Sequence, residues 1–250
     1  MGIAVRLVET GEHFSFNGAE HFPMQSVYKL PISMAVMREV ERGKLKLDQP
    51  VRVAKSERVP RALHSPMRDA HPDGDFEMPL REVIQYAIAE SDGTASDVLM
   101  RLAGGPERIT AYLREIGVKG LVVATTEMEM SKEVHVQYRN WSTPEGMVEL
   151  LAKLSPQHDG LLLKYMAESS PGPKRLKGLL PAGTVVAHKT GTSGSDSGMT
   201  RATNDVGLVT LPDGRHLAIA VFVSDARADV ETRERVIARS ARAAWDRFVK

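Results

Sequence analysis

Apolar residues near both ends of the chain follow the spacing of β-strands. Residues 3–9 and 13–17 flank the turn-like TGE and predict a hairpin. Three segments near the other end are rich in β-branched residues, namely residues 184–191, 204–211 and 216–225. The sequence Pro-Asp-Gly-Arg at 212–215 joins the last two as a second hairpin. The chain is therefore predicted to begin and end in strands.

The middle of the chain follows helical spacing instead. Between Ser26 and Glu41 apolar residues recur every three or four positions, and Gly43 is placed to end that helix. Further helical segments are predicted at residues 80–90, 94–104, 106–117, 144–154, 160–169 and roughly 228–249. Residues 44–78 show no such spacing and are predicted to be irregular.

Strands at both ends around a helical middle predict an α/β (α+β) fold. We expect an antiparallel sheet flanked by helices and built from both chain ends, with an inserted all-helical domain. The predicted sheet domain comprises residues 1–25 and 171–250, and the helical domain comprises residues 26–170.

Composition and charge exclude several classes of protein. Of the 250 residues, 42% are hydrophobic and 26% charged, as in packed globular proteins. The net charge is +1 and basic residues are interleaved with acidic ones, so we expect no nucleic-acid partner. The longest apolar runs, such as residues 216–223, are too short to span a bilayer, and the chain as given shows no export signal, so we expect no membrane contact.

Residue usage also argues against a metal or cofactor. The chain has no Cys, which removes disulfides, thiol catalysis and thiolate ligands. Its eight His residues do not form an H-x-H or H-E-x-x-H motif, and no Gly-rich phosphate loop follows a strand. We therefore expect neither a metal nor a nucleotide cofactor.

Ser26 and Lys29 stand three positions apart at the start of the first predicted helix. Residues i and i+3 share one face of a helix, so Lys29 Nζ can reach Ser26 Oγ. This is the geometry of a nucleophile and its base. A serine N-cap followed by a solvated lysine is the competing interpretation, which a lone S-x-x-K motif does not exclude.

Two further motifs change that balance. Ser91, Asp92 and Gly93 fall in the short break between two predicted helices, and Lys189-Thr190-Gly191 falls on a predicted strand. Taken alone, Ser91 or Asp92 could be a helix N-cap and Lys189 a surface residue. Together and in this order, S-x-x-K, S-D-x and K-T-G are the set found in class A β-lactamases and penicillin-binding proteins.

The sequence resembles this superfamily over nearly its whole length. Similarity to the class A segment that begins at the S-D-N motif is found in SDGTASDVLMRLAGGPERITAYLREIG. Similarity to the exit from the class A Ω-loop is found in QYRNWSTPEGMVELL. AHKTGTSG and ATNDVGLVTLPDGRHLAIAVFVSD are most similar to the PER- and VEB-like branch. The resemblance implies hydrolysis of β-lactams, small-molecule substrates, and a monomer that is periplasmic or secreted.

The resemblance also implies roles for residues of the motifs. Ser26 would attack the β-lactam carbonyl with Lys29 as base, and backbone N–H groups of Ser26 and Thr192 would form the oxyanion hole. Ser91 would pass a proton to the leaving nitrogen. The implied substrate-binding residues are Lys189, Thr190, Gly191, Thr192, Arg175 and Gly93.

Hydrolysis of the acyl-enzyme needs a base in the Ω-loop. Counting back from RNWSTP without gaps places Glu127 on the family's Glu, Met130 on its apolar position and Ser131 on its Asn. Glu129 is the alternative if the loop carries an insertion. A solvated loop carboxylate is the competing interpretation for either residue.

Two departures from the family pattern bear on function. Gly93 stands where the family has an Asn that contacts the catalytic Lys and the substrate, which bears on substrate orientation and rate. The chain also begins directly on a strand, without the leader and first helix that precede it in family members. A D,D-peptidase or other penicillin-binding protein and an inactive penicillin-binding sensor domain are the alternative functions.

Overall fold

The computed structural model describes residues 1–249, and Lys250, the last residue of the predicted sheet domain, lies outside the described residues. The strands are, in chain order, β1 (Gly2–Leu7), β2 (His13–Phe16), β3 (Phe22–Pro23), β4 (Pro50–Val53), β5 (Phe76–Pro79), β6 (Leu121–Val122), β7 (Trp141–Ser142), β8 (Val186–Thr192), β9 (Ser195–Asp196), β10 (Met199–Thr210) and β11 (His216–Ala226). The α-helices are α1 (Lys29–Glu41), α2 (Pro66–Ala70), α3 (Leu80–Ile88), α4 (Gly93–Leu102), α5 (Pro106–Glu115), α6 (Glu127–Met130), α7 (Pro144–Leu151), α8 (Pro156–Ala167) and α9 (Val230–Phe248). Single 3₁₀ turns cover Gln25–Tyr28, Lys55–Glu57, Val134–Arg139 and Leu176–Leu179.

The main sheet joins the two ends of the chain. Its strand order is β2, β1, β11, β10, β8, and β9 pairs with β10. All of these pairs are antiparallel, and β1 runs beside β11 from Gly2 opposite Phe222 to Leu7 opposite Leu217. The predicted fold class, with one antiparallel sheet built from both chain ends, is confirmed.

Each face of this sheet packs against its own set of helices. On β11, Leu217, Ile219 and Val221 belong to one apolar cluster with Ile237 and Trp245 of α9. The residues between them point to the opposite face, because successive strand side chains alternate, and they join the larger cluster that runs into the helices. Helices α7 and α8 contact strands β1, β11 and β8 on that side. The division of the chain into two domains at residues 25–26 and 170–171 stays a prediction.

The expectation that residues 44–78 are irregular is wrong at strands β4 and β5 and at helix α2. Strands β4 and β5 pair in a separate two-stranded antiparallel sheet, and α2 lies between them. Val51, Val53 and Met78 are buried in the larger apolar cluster, whereas Arg52 between the two valines is exposed. Strands of four residues give too short an alternation to be recognised in the sequence.

The first predicted helix starts later than expected. Residues 25–28 form a 3₁₀ turn and the α-helix begins at Lys29, although the predicted end is confirmed. Gly43 has a φ of +72°, and the N–H of Lys44 donates to the carbonyl of Glu39 at 3.0 Å. A glycine in this left-handed conformation closes the helix, as its position predicts.

Candidate active site

Ser26 and Lys29 face each other where the 3₁₀ turn passes into α1. The Lys29 ammonium donates a hydrogen bond from Nζ to Ser26 Oγ at 2.8 Å, so the contact predicted from the i, i+3 spacing is present. Lys29 is only 1% exposed, and a lysine is almost never buried so deeply without a partner. The interpretation of Lys29 as a solvated surface residue therefore does not fit the structure.

Glu127 supplies the partner for the buried Lys29 ammonium. It is the first residue of the short helix α6, and one oxygen of its carboxylate accepts a second hydrogen bond from Lys29 Nζ. The Lys29 ammonium thus lies between the Ser26 hydroxyl and the Glu127 carboxylate. An acidic group, an amine and a hydroxyl in contact allow proton transfer along the chain of three side chains.

Glu129, the alternative Ω-loop residue, has a different set of contacts. Its carboxylate accepts hydrogen bonds from Thr125 Oγ1 at 2.7 Å and from the backbone N–H of Thr126 at 3.1 Å. These two hydrogen bonds lower the pKa of Glu129. Thr126 is the N-cap of α6, and its reciprocal hydrogen bonds with Glu129 form a capping box. The Glu129 carboxylate therefore binds the start of α6. Ser131, at the position of the family's Asn, donates to the carbonyl of Met128 at 2.7 Å.

Asp97 of α4 holds the segment that carries Glu127, and the sequence analysis did not identify it. Its carboxylate accepts the backbone N–H of Glu127 at 2.8 Å and that of Met128 at 2.9 Å. Burial raises the pKa of Asp97 to about 7, against the opposing effect of these two hydrogen bonds. The signal in the sequence that could have identified Asp97 is an acidic residue on a mostly apolar helix, six residues after Ser91.

The raised pKa of Asp97 makes a prediction about stability and pH. In the folded state Asp97 keeps its proton up to about pH 7, whereas in the unfolded chain it releases the proton near pH 3.8. The contribution of Asp97 to the free energy of unfolding therefore falls as the pH rises between these values. We expect the free energy of unfolding of the wild type, relative to Asp97→Asn, to fall by up to about 4 kcal/mol between pH 4 and pH 8. Urea unfolding of both proteins across this range measures it, and a constant difference would contradict the prediction.

Ser91 and Lys189 form the second hydroxyl and amine pair of the site. Ser91 precedes the N-cap of α4 and has a φ of +59°, a strained conformation for a residue with a side chain. The Lys189 ammonium donates to Ser91 Oγ at 2.8 Å and to the carbonyl of Thr190 at 3.2 Å. Burial, and next the charge of Lys29, hold the pKa of Lys189 well below its usual range. Asp92 is the N-cap of α4 and accepts the N–H of Ala95 at 2.8 Å.

Gly191 allows strand β8 to lie directly against the turn that carries Ser26. A Cβ at this position would come within 2.3 Å of the Met24 carbonyl oxygen and 3.2 Å of Gln25 Cβ, so no other residue fits. Gln25 itself has a φ of +47°, which places a second strained residue next to Ser26. The close approach is a property of the glycine in the K-T-G motif.

Thr192 presents its backbone to the free edge of the sheet. The N–H of Ser193 donates to the carbonyl of Ala202 at 3.0 Å, and Thr192 lies opposite Thr203 in the register. Since hydrogen-bonded and non-hydrogen-bonded pairs alternate in an antiparallel ladder, the N–H of Thr192 points away from β10. It is therefore free to bind a ligand at this edge.

Arg175 lies beside the end of β8 and is 5% exposed. One guanidinium nitrogen donates to Thr192 Oγ1 at 2.8 Å, and another donates to the carbonyl of Asn204 at 2.9 Å. Its Nε pairs with Glu234 of α9 at 3.2 Å. Arg175 therefore contacts the strand that carries the K-T-G motif, as its predicted role requires.

Gly93 opens α4 and packs beneath Glu127. Its N–H donates to the carbonyl of His64 at 3.0 Å. A Cβ built on Gly93 would lie 3.2 Å from that carbonyl oxygen and 3.5 Å from Glu127 Cγ. The space that an asparagine side chain would need is therefore partly filled by the segment around His64.

A cleft of about 400 Å³ is lined by half of the predicted site residues. Of the predicted site residues, those that line it are Ser26, Lys29, Ser91, Glu127 and Thr192. Lys189 and Arg175 lie behind the wall and reach it through Ser91 and Thr192. Residues of the lining that the sequence analysis did not single out include Gln25, His64, Gln137, Asp196 and Arg201. Within residues 1–249 no three His, Cys, Asp or Glu side chains cluster in a way that would hold a metal ion.

A family model described as the β-lactamase enzyme family matches residues 1–248 of the chain. The extended-spectrum β-lactamase PER-1 of Pseudomonas aeruginosa is 43% identical over 98% of this chain and 81% of its own length. The β-lactamase VEB-1 of the same organism is 34% identical over 100% of this chain and 85% of its own length. The predicted similarity to the PER- and VEB-like branch is confirmed.

A solved structure gives the same result for the fold. A representative class A β-lactamase from Bacteroides cellulosilyticus superposes with a TM-score of 0.93 at 34% identity, covering 99% of this chain and 91% of the other. No helix in the part of the chain that the structure describes is both long and apolar enough to cross a membrane.

Proposed function

Because this chain belongs to the class A β-lactamases, enzymes that hydrolyse the amide bond of β-lactam antibiotics and so confer resistance to them, we propose that it acts through an acyl-enzyme on Ser26. The observation that supports the proposal most directly is the position of Lys29 Nζ, in contact with Ser26 Oγ and with Glu127. A nucleophile, its base and a second base are thereby joined in one buried chain of hydrogen bonds.

In the acylation step, Ser26 Oγ attacks the β-lactam carbonyl carbon while its proton moves to the Lys29–Glu127 pair. The backbone N–H of Thr192 faces the free edge of the sheet and, with that of Ser26, would stabilise the oxyanion. The ring C–N bond then breaks as Ser91 passes its proton to the leaving nitrogen and takes one in return from Lys189, from which it accepts a hydrogen bond. The proton that left Ser26 then passes from Lys29 to Lys189, which restores these side chains before deacylation.

The carboxylate of the substrate would bind at the end of β8. Lys189 brings a cation to Ser91, and Arg175 brings another to the hydroxyl of Thr192 at 2.8 Å. Thr190 precedes Gly191 on the same strand, and Gly191 holds the strand against the nucleophile. Two cations and the Thr192 hydroxyl at one end of the cleft favour an anionic group there.

In the deacylation step, Glu127 would take a proton from a water molecule that attacks the Ser26 ester. The ester C–O bond then breaks, Ser26 Oγ takes the proton that Glu127 had removed from water, and the acid product leaves. The two backbone N–H groups held by Asp97 fix the start of α6, which keeps the Glu127 carboxylate beside Lys29.

Multiple turnover of a chromogenic cephalosporin tests the proposed function. Purified protein at micromolar concentration should convert many equivalents of substrate, with a transient adduct of the acyl mass on the peptide that contains Ser26. A single equivalent followed by a stable adduct would instead support a penicillin-binding protein or sensor domain.

Gly93→Asn tests whether the missing amide limits acylation, with Gly93→Ala as its matched control. Both side chains add a Cβ 3.2 Å from the His64 carbonyl, so both variants should melt a few degrees below the wild type. If the amide binds the substrate, Gly93→Asn should be acylated faster than Gly93→Ala, by up to about tenfold for one hydrogen bond. Stopped-flow acylation rates measure this, and equal rates would show that the site is built around glycine.

We further propose that the protein works as a monomer in the periplasm or after secretion, where β-lactams reach it. Light scattering of the purified protein tests the first statement. Cell fractionation of the native host with an antibody against the protein tests the second.

A further inference from the structure

A fully buried pair of titratable side chains lies behind strand β8. His188 of β8 and Asp205 of β10 are both 0% exposed. The Nδ1 atom of His188 lies 2.9 Å and 3.0 Å from the two oxygens of the Asp205 carboxylate. Because neighbouring strand residues alternate, His188 and Lys189 point to opposite faces of the sheet. The pair is therefore not in the cleft, and the reaction steps described above do not use it.

Asp205 also holds the segment that carries Arg175. Its Oδ2 accepts the backbone N–H of Leu176 at 3.0 Å, one residue after Arg175. Arg175 has a ψ of −121°, outside helical and strand conformations, just before the 3₁₀ turn 176–179. An irregular backbone keeps such a conformation only where neighbouring groups hold it. The hydrogen bond to Asp205 is one of these constraints.

The side chain of Arg175 is held from the same strand. Its guanidinium donates to the carbonyl of Asn204, the residue before Asp205, at 2.9 Å. From there it reaches Thr192 Oγ1 at the end of the cleft. Strand β10 thus holds this segment at two points, because the Asp205 side chain binds the backbone of Leu176 and the Asn204 carbonyl binds the guanidinium of Arg175.

The charges around Asp205 are mostly positive. The cations near it are Lys189 on β8 and Arg175 and Lys177 on the segment before β8, and Glu234 of α9 pairs with Arg175. Towards the cleft, Lys189 faces Lys29 and Glu127. The negative charge of Asp205 raises the pKa of Lys189, against the larger lowering by burial and by Lys29. Removal of this charge would favour the neutral amine.

We propose that Asp205, oriented by His188, is a positioning residue for binding of the substrate carboxylate. It fixes the backbone beside Arg175 and places a negative charge behind the strand that carries Lys189. The inference rests on the proposed function, because it assigns a role to the carboxylate site of that reaction.

Asp205→Asn tests the proposal with little change of shape. We expect the KM for a chromogenic cephalosporin to rise about tenfold while kcat stays within about twofold, since the ground-state anion site is affected. The alkaline limb of the pH profile of kcat/KM should move to lower pH, because the loss of the Asp205 charge lowers the pKa of Lys189. Asp213→Asn, an exposed carboxylate in the β10–β11 turn, is the matched control and should match the wild type.

Variants at His188 decide the question if Asp205→Asn does not fold. His188→Asn keeps a donor near the Nδ1 position, so its KM should stay close to that of the wild type. His188→Leu removes the donor, so its KM should rise. An unchanged KM together with an unchanged pH profile, or a fall in kcat alone, would overturn the inference. Wild-type protein that neither turns over the substrate nor forms an adduct on Ser26 would instead refute the proposed function, so the two failures are distinguishable.

Discussion

The Ser26→Ala variant is expected to lose hydrolysis of a chromogenic cephalosporin by about 10⁴-fold or more, because covalent catalysis has no route without its nucleophile. The fold should survive, since Ser26 is only partly buried and its side chain has Lys29 as its hydrogen-bond partner. Lys29 would keep its contact with Glu127. Steady-state rates and intact-mass spectrometry after incubation with substrate measure the two consequences, a lost rate and a missing acyl adduct.

Ser33 offers a matched control on the same helix. It is 0% exposed and its hydroxyl has no hydrogen-bond partner within the described residues, so Ser33→Ala removes an oxygen without breaking a contact. This variant should keep wild-type rates and form the adduct. An acyl adduct on Ser26→Ala would disprove the assignment of the nucleophile.

The part of the site that could be predicted from the sequence depends on local geometry. Ser26 and Lys29 meet because i and i+3 share a helical face, even though the first turn is 3₁₀ and not α. Asp92 caps α4 in the break where the S-D-G motif was expected. The order of the three motifs indicated the family, and the strands at both ends around a helical middle indicated the fold.

Contacts between distant segments could not be predicted in this way. Asp97 meets the N–H of Glu127 thirty residues further along the chain, and no periodicity reports such a pairing. A Cβ on Gly191 would lie 2.3 Å from the Met24 carbonyl oxygen, and this close packing depends on two segments that are far apart in the sequence. The burial of Asp205 likewise depends on how β10 pairs with β8.

The surroundings of Gly93 could not be predicted from the sequence. The sequence shows only that the amide of the family's asparagine is missing. In the structure, the His64 carbonyl accepts the N–H of Gly93, and the Glu127 side chain packs over it. Both contacts join Gly93 to segments that are distant from it in the sequence, so no local pattern predicts them.

Glu127→Gln should separate the two halves of the reaction. The amide keeps the size of the side chain but cannot take a proton from water, so deacylation should slow by about 10²-fold or more. Lys29 still contacts Ser26, and acylation should therefore continue. We expect a burst of about one product per enzyme, a slow steady state and a stable acyl mass on the Ser26 peptide.

Glu129→Gln is the matched control two residues further on. Its carboxylate caps α6 through Thr125 and Thr126, so the variant should melt at a slightly lower temperature and turn over nearly as the wild type does. If Glu129→Gln stalls and Glu127→Gln does not, the loop rearranges on substrate binding and Glu129 is the base. If neither stalls, deacylation uses a base outside this loop. Only a stall confined to Glu127→Gln supports Glu127, in its buried contact with Lys29, as the base that completes hydrolysis.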